Sequence, residues 1–238
     1  MFATRNGVIK KTCLSEYAQV NIKGKKAIII REGDRVVDVN LTDGNCEILM
    51  ANRNGRAIRF NESKLRSMGR VSTGVRGMTL DEGDDEVVGM ITMLPGDDRN
   101  VMVISENGYG KRSLLEDYRI TNRGAKGVKT INITEKTGLL VAIKSVDDSN
   151  DLMIINQSGI TLRLAVASIR VQGRATQGVR LIDLTKRGDK IASVCKVDSD
   201  PEEEKEEIAN DPENSESLEN LEKLENLENP EEPENPEV

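Results

Sequence analysis

Residues 49-LMANRNGRAIR-59 read as two short apolar strands on either side of an Asn-Gly turn. The same pattern returns as 1-MFATRNGVIKK-11, 102-MVISENGYGKR-112 and 153-MIINQSGITLR-163. Its turn glycines, Gly7, Gly55, Gly108 and Gly159, are 48, 53 and 51 residues apart. Asn-Gly and Ser-Gly tolerate the positive φ that two-residue hairpins require. Self-similarity at a period near 50 residues is the mark of a repeat architecture, so the repeat is the unit to be explained.

Other positions keep step with the glycine. Four residues on stands a cation: Lys11, Arg59, Arg112 or Arg163. Ten residues on stands a large apolar or aromatic residue: Tyr17, Leu65, Tyr118 or Ile169. About twenty residues on, Lys26 precedes Ala27, Arg76 precedes Gly77 and Lys126 precedes Gly127, whereas the fourth copy has Gln177 before Gly178. Polar turns follow, such as Glu32-Gly33-Asp34, Glu82-Gly83-Asp84 and Arg187-Gly188-Asp189, as do Val-rich runs such as 36-VVDV-39 and 87-VVGMI-91.

Strand-period alternation and frequent glycine exclude helical repeats. The predicted fold class is all-β: a propeller-like array of four-stranded blades whose neighbours cover each other's apolar faces, with an open sandwich as the alternative. The predicted boundaries are 1–197 for the array, in repeats of about 1–47, 48–99, 100–150 and 151–197, and 198–238 for a tail.

A formal net charge of −7 hides two opposite segments. Residues 198–238 carry 18 carboxylates and only two lysines, which leaves residues 1–197 at +9. A basic body of this kind is suited to nucleic acid, and an acidic tail to solvent. Leu218, Leu221, Leu224 and Leu227 recur every three residues in the tail, a spacing that drifts around a helix, and five prolines accompany them. Disorder is the predicted state, with a transient helix near 217–228 as the alternative, and the sharper hypothesis is that the tail folds back and competes for the basic surface.

Histidine is absent, which removes the commonest general base and most zinc sites. Tyr17 and Tyr118 hold an apolar repeat position and are expected to pack. Gly110-Lys111 lacks the spacing of a phosphate loop, with Ser105 and Arg112 at the wrong places. The Glu82-Gly83-Asp84-Asp85 run reads as a solvated turn rather than a metal site. No catalytic residue, metal or cofactor is therefore expected in this chain. Cys13, Cys46 and Cys195 form no CxxC pair and read as reduced thiols of a cytoplasmic protein. No apolar run is long enough to span a membrane.

The succession NGVIKKTCLSEY, GDRVVDVNLTDG, NGRAIRFNESKLRSMGR, TGVRGMTLDEGDDEVVGM, NGYGKRSLLEDY, NRGAKGV and GRATQGVRLIDL resembles the C-terminal β-pinwheel found in the A subunit of bacterial DNA gyrase. The resemblance runs from Met1 to about Val197. It implies wrapping of double-stranded DNA around a basic rim, in support of ATP-dependent negative supercoiling. The implied partners are duplex DNA, the gyrase B subunit, plus the rest of the gyrase A subunit, with ATP and Mg²⁺ held elsewhere in that complex.

The sequence departs from the family in two ways. The family domain usually has six blades, and four correspond here. The QRRGGKG-like box of its first blade has only degenerate echoes, 23-KGKKA-27, 73-TGVRG-77 and 122-NRGAKG-127. Met1 holds the repeat position of Leu49, Met102 and Met153 and is expected to be a core methionine, which leaves a fragment and a separately encoded domain both open. Two other functions stay open: the corresponding domain of topoisomerase IV, and a propeller-like protein-interaction scaffold.

A cation repeated at one place in every blade projects onto one edge of a radial array, where it can follow a phosphate backbone. The predicted DNA contacts are Lys10, Lys11, Lys23, Lys25, Lys26, Arg59, Arg76, Lys111, Arg112, Arg123, Lys126, Arg163 and Arg174, with Arg66, Arg70 and Arg170 behind them. Lys11, Arg59, Arg112 and Arg163 are expected to form one continuous edge. No recognition helix is visible, so sequence-specific readout is not expected.

Overall fold

Gly7, Gly55, Gly108 and Gly159 adopt φ of 78°, 76°, 83° and 83°, so each predicted turn forms at a left-handed glycine. The computed structural model describes residues 1–19, 22–184 and 188–198. The chain divides into units Met1–Val197 and Asp198–Val238, and the repeats make up the first. The expected disorder of the tail lies outside the described residues.

In chain order the strands are β1 (Phe2–Thr4), β2 (Val8–Lys10), β3 (Val36–Val39), β4 (Glu47–Asn52), β5 (Arg56–Asn61), β6 (Val75–Arg76), β7 (Val87–Met93) and β8 (Asn100–Ser105). There follow β9 (Tyr109–Ser113), β10 (Val128–Lys129), β11 (Leu140–Val146), β12 (Asn150–Asn156), β13 (Thr161–Ala165), β14 (Val179–Arg180) and β15 (Ile191–Asp198). A short 3-10 turn follows the second hairpin strand of each repeat.

These strands make four antiparallel sheets, ordered β3-β1-β2-β6, β10-β5-β4-β7, β11-β8-β9-β14 and β13-β12-β15. The all-β, propeller-like expectation holds, with a change in who supplies the strands. Each of the first three sheets takes its outermost strand from the following repeat. Val8 pairs with Arg76 and Ile9 with Val75; Arg56 pairs with Lys129 and Ala57 with Val128; Tyr109 pairs with Arg180 and Gly110 with Val179. Two further amides then bond the turn: Gly77 and Met78 donate to the Gly7 carbonyl, Thr130 and Ile131 to that of Gly55, Leu181 and Ile182 to that of Gly108.

Apolar residues fill the spaces between successive sheets. Along β4, Ile48 and Met50 join Ala3 and Ile9 of the first sheet, while Leu49 and Ala51 join Val101 and Val103 of the third. Both faces of β4 are covered, so its apolar run is continuous rather than alternating. On β8, Met102 and Ile104 turn the other way, toward Leu152 and Ile154. Met1 is buried among the first of these groups, as its repeat position predicts. The inner strands β3, β7, β11 and β15 converge on an open cavity of about 440 Å³ lined by Val37, Val88, Val141 and Ala192. The exchanged strands β6, β10 and β14 lie at the opposite, outer edge of their sheets.

Candidate nucleic-acid interface

The cations four residues after each turn glycine do not form the expected edge. Arg59 places Nε 2.8 Å from a Glu47 carboxylate oxygen, and its Nη1 donates to the carbonyls of Leu115 at 2.7 Å and Tyr118 at 3.0 Å. Arg112 donates to the Ile169 carbonyl and pairs with Asp148. Lys11 Nζ lies 3.4 Å from both the carbonyl and the carboxylate of Glu62. The carbonyls these three side chains reach all lie in or just after the 3-10 turn of the following repeat. Arg163 pairs with Asp151 inside its own hairpin at 2.6 Å. In the first three repeats the position joins one blade to the next. Arg59 and Arg112 keep only 11% and 10% of their side chains exposed.

Lys10 and Lys111, three residues after their glycines, are wholly buried at 0% exposure. Lys10 Nζ donates to the carbonyls of Ala27, at 2.6 Å, and Arg70. Lys111 Nζ donates to the Gly173 carbonyl at 2.6 Å and approaches Ser113 Oγ at 3.4 Å. Burial pulls Lys111 down to about 7 and moves Lys10 in the same direction. As DNA contacts these two are corrected outright, since no phosphate can reach an ammonium inside the joint. The glycine spacing gave their equivalence between repeats but not the direction in which they point.

Three other registers are exposed and recurrent. The exchanged-strand position carries Lys26, Arg76, Lys129 and Arg180, all on the surface. Fifteen residues after the glycine stand Arg70, Arg123 and Arg174, each aimed at the preceding repeat. Arg70 Nη1 donates to the Lys26 carbonyl at 2.6 Å, Arg123 to Arg76 at 3.1 Å, and Arg174 to Lys129 at 2.6 Å. Eleven residues after the glycine, Arg66, Arg119 and Arg170 are exposed on the same crossing loops. Cations from two successive repeats therefore meet at every joint on the outer edge.

Of the predicted contacts, Lys26, Arg76, Arg123 and Arg174 fall in these registers. Lys23 is exposed and Lys25 half-buried beside Lys26, while Lys126 is exposed but bonded to Asp81 at 2.9 Å. The same registers also hold Arg119, Lys129 and Arg180, which the sequence reading did not name, and Arg66, Arg70 and Arg170, which it placed behind the others. The doublets Val75-Arg76, Val128-Lys129 and Val179-Arg180, each after a glycine, were the available signal.

Tyr118 and an acidic cluster near Cys46 are accounted for by packing. Tyr118 is buried with its hydroxyl bonded to Thr130 Oγ1, and burial pushes it up to about 12. Asp43, Cys46 and Glu62 bring their ligand atoms within 4.8 Å of one another. Glu62, however, already accepts from Thr42 Oγ1 at 2.8 Å and from the amides of Gly44 and Cys46 at 3.1 and 3.3 Å. That carboxylate organises its own loop.

Strand-exchanged sheets with converging inner strands, and with cations gathered at their outer joints, define a propeller-like repeat domain with a polycationic edge. The family model described as DNA gyrase C-terminal domain, beta-propeller matches residues 1–43, 47–92, 99–147 and 150–196, one segment per repeat. The chain belongs to that family. The A subunit of DNA gyrase from Staphylococcus aureus (strain MRSA252) is 47% identical over 209 residues, which cover 87% of this chain and 23% of the relative. The chain thus spans under a quarter of that protein.

Among solved structures, the C-terminal domain of DNA topoisomerase IV aligns with a TM-score of 0.77 at 29% identity, covering 83% of this chain and 61% of that one. The DNA gyrase A C-terminal domain aligns with a TM-score of 0.72 at 24% identity, covering 82% and 64%.

Proposed function

We propose that this chain binds and wraps double-stranded DNA along its outer edge, as the C-terminal part of a gyrase A subunit in a type II topoisomerase. The observation that carries this reading is the meeting of an exchanged-strand cation and a crossing-loop arginine at each joint: Lys26 with Arg70, Arg76 with Arg123, Lys129 with Arg174. Cations spaced one blade apart follow a curved phosphate backbone, and each phosphate neutralised releases counterions. Bending the duplex costs on the order of 1–6 kcal/mol, which a few such contacts offset. Lys23, Lys25, Lys126, Arg66, Arg119, Arg170 and Arg180 extend the same track. In this reading the chain supplies geometry and charge, while cleavage, ATP and Mg²⁺ belong to the gyrase B subunit or to other parts of the A subunit.

The test has two parts. Six to ten engaged phosphates give a plot of log affinity against log salt with a slope of about −5 to −9, with long duplexes preferred over short ones. Sealing a nicked plasmid with the protein bound, then reading its linking number, distinguishes wrapping from plain binding. A trapped positive writhe supports wrapping. A flat salt response and no length preference would sink DNA binding altogether and leave an interaction scaffold.

The topoisomerase IV reading rests on the 0.77 TM-score of that domain and the lack of a QRRGGKG-like box, and it expects binding without trapped writhe. The 47% identity to a gyrase A subunit over 87% of this chain supports the first reading.

A further inference from the structure

Beside their arginines, two of the crossing loops display an apolar side chain that a phosphate track does not call for. Thirteen residues after their turn glycines, the amides of Met68, Thr121 and Gln172 donate to the carbonyls of Lys11, Arg59 and Arg112, each at 2.8 Å. The residue just before is thereby clamped to the preceding sheet: Ile120 bridges Arg59, and Val171 bridges Arg112, in parallel register. The inner edges of β5 and β9 are taken by β4 and β8, so both bridges lie on the outer edges, beside the exchanged strands β10 and β14.

Ile120 and Val171 are nevertheless 55% and 43% exposed. Single apolar residues on a surface call for no explanation. Here one main-chain anchor holds a β-branched side chain outward at two successive joints. At both, one arginine stands immediately before it and another three residues after it: Arg119 and Arg123 around Ile120, Arg170 and Arg174 around Val171. The first joint has Ser67 in this register, between Arg66 and Arg70. Branching at Cβ leaves such a side chain little rotamer freedom to lose on contact.

Charge narrows the choice of partner. The 31 residues between Asp151 and Asp183 contain four arginines and no carboxylate, so Val171 sits in a wholly cationic stretch of sequence. An aliphatic knob between cations complements an apolar strip between two rows of negative charge. In duplex DNA that is the minor groove, where phosphates flank walls of deoxyribose C–H groups.

We propose that Ile120 and Val171 seat against the deoxyribose walls of the minor groove where it faces the outer edge, with the arginines on either side meeting the two rows of phosphates. The inference rests on the wrapping reading above and adds how the duplex is gripped without its sequence being read, since the sugars are alike at every base pair. The side chains stay outside the base stack. A wedge driven between base steps from the minor groove bends DNA toward its major groove, which here would be away from the protein. Wrapping needs the opposite bend, with the minor groove narrowed on the inner side, and aliphatic groups lying along its walls permit that.

The test compares forms of the full chain on one long duplex across a range of salt. Ile120→Ser/Val171→Ser puts into both joints the residue that the first already has. Its affinity should fall about five- to tenfold at every salt concentration, because apolar burial is lost while the number of neutralised phosphates, and hence the slope, is unchanged. Arg119→Ala/Arg170→Ala should instead lower the slope by about 2. Ile120→Val/Val171→Ile keeps an aliphatic group at both places and should bind as wild type does. Replacing thymine by uracil removes the apolar methyl group of the major groove, and the gap between wild type and the serine variant should persist on that DNA. An unchanged affinity in the serine variant would overturn the proposal, and so would a gap that closes on uracil DNA, which would put the contact in the major groove. A lower slope in the serine variant would also overturn it, since the side chains would then act only by placing the arginines. A flat salt response in wild type is a separate result, which removes DNA binding itself and this inference with it.

Discussion

Arg59 and Arg76 are both arginines of the second repeat, and the structure gives them opposite work. Arg59 is held by Glu47 and by two carbonyls of the next repeat, whereas Arg76 presents its side chain to solvent on β6. Arg59→Ala leaves Glu47 buried without its partner and is expected to cost about 3–5 kcal/mol in urea unfolding. Arg76→Ala is expected to cost under about 0.5 kcal/mol, yet to lower the salt slope of DNA binding by about 1.

Lys111 makes a separate prediction in pH. Its folded value of about 7 lies below the ordinary 10.5, so the unfolded chain holds this proton to higher pH than the folded one. Stability therefore rises as pH increases from about 7 toward 10.5 and sits on its lower level below 7. The urea midpoint should climb between pH 7.5 and 9.5, and Lys111→Met should flatten that climb. None of this division was legible in the sequence. Periodicity makes Lys11, Arg59, Arg112 and Arg163 equivalent, but the carbonyls that the first three reach lie 51 to 59 residues further on, in the next repeat.

At the level of elements, the hairpins were legible because an Asn-Gly or Ser-Gly turn and apolar flanks specify them locally. The strand exchange was not. Its strands are two residues long, and Val-Arg or Val-Lys names no partner. The joint nevertheless makes two otherwise similar glycines respond differently. Gly178 and Gly159 have φ of 82° and 83°, but a Cβ at Gly178 would strike the Gly110 carbonyl while one at Gly159 would meet open space. Gly159→Ala is expected to cost about 1 kcal/mol, from backbone strain alone. Gly178→Ala should cost at least about 2 kcal/mol more as β14 is pushed off β9, with the difference visible in thermal midpoints and in faster amide exchange at Leu181 and Ile182.

For the whole molecule, charge is divided as plainly as structure. Removing residues 199–238 deletes 17 carboxylates and two lysines and leaves the basic array. If the tail competes for the edge, the shortened chain should bind duplex about tenfold more tightly at low salt, by fluorescence anisotropy. Unchanged affinity would sink that role. The exchanged strands also impose an order in time. β2 ends at Lys10 but its outer neighbour begins at Val75; β5 ends at Asn61 and waits for Val128; β9 ends at Ser113 and waits for Val179. During synthesis at about 5–20 residues per second, each sheet spends roughly 3–13 s with its edge uncovered. A nascent chain is thus always one repeat short of completing what it has already made, and a ribosome that stalls between repeats holds out an adhesive strand edge.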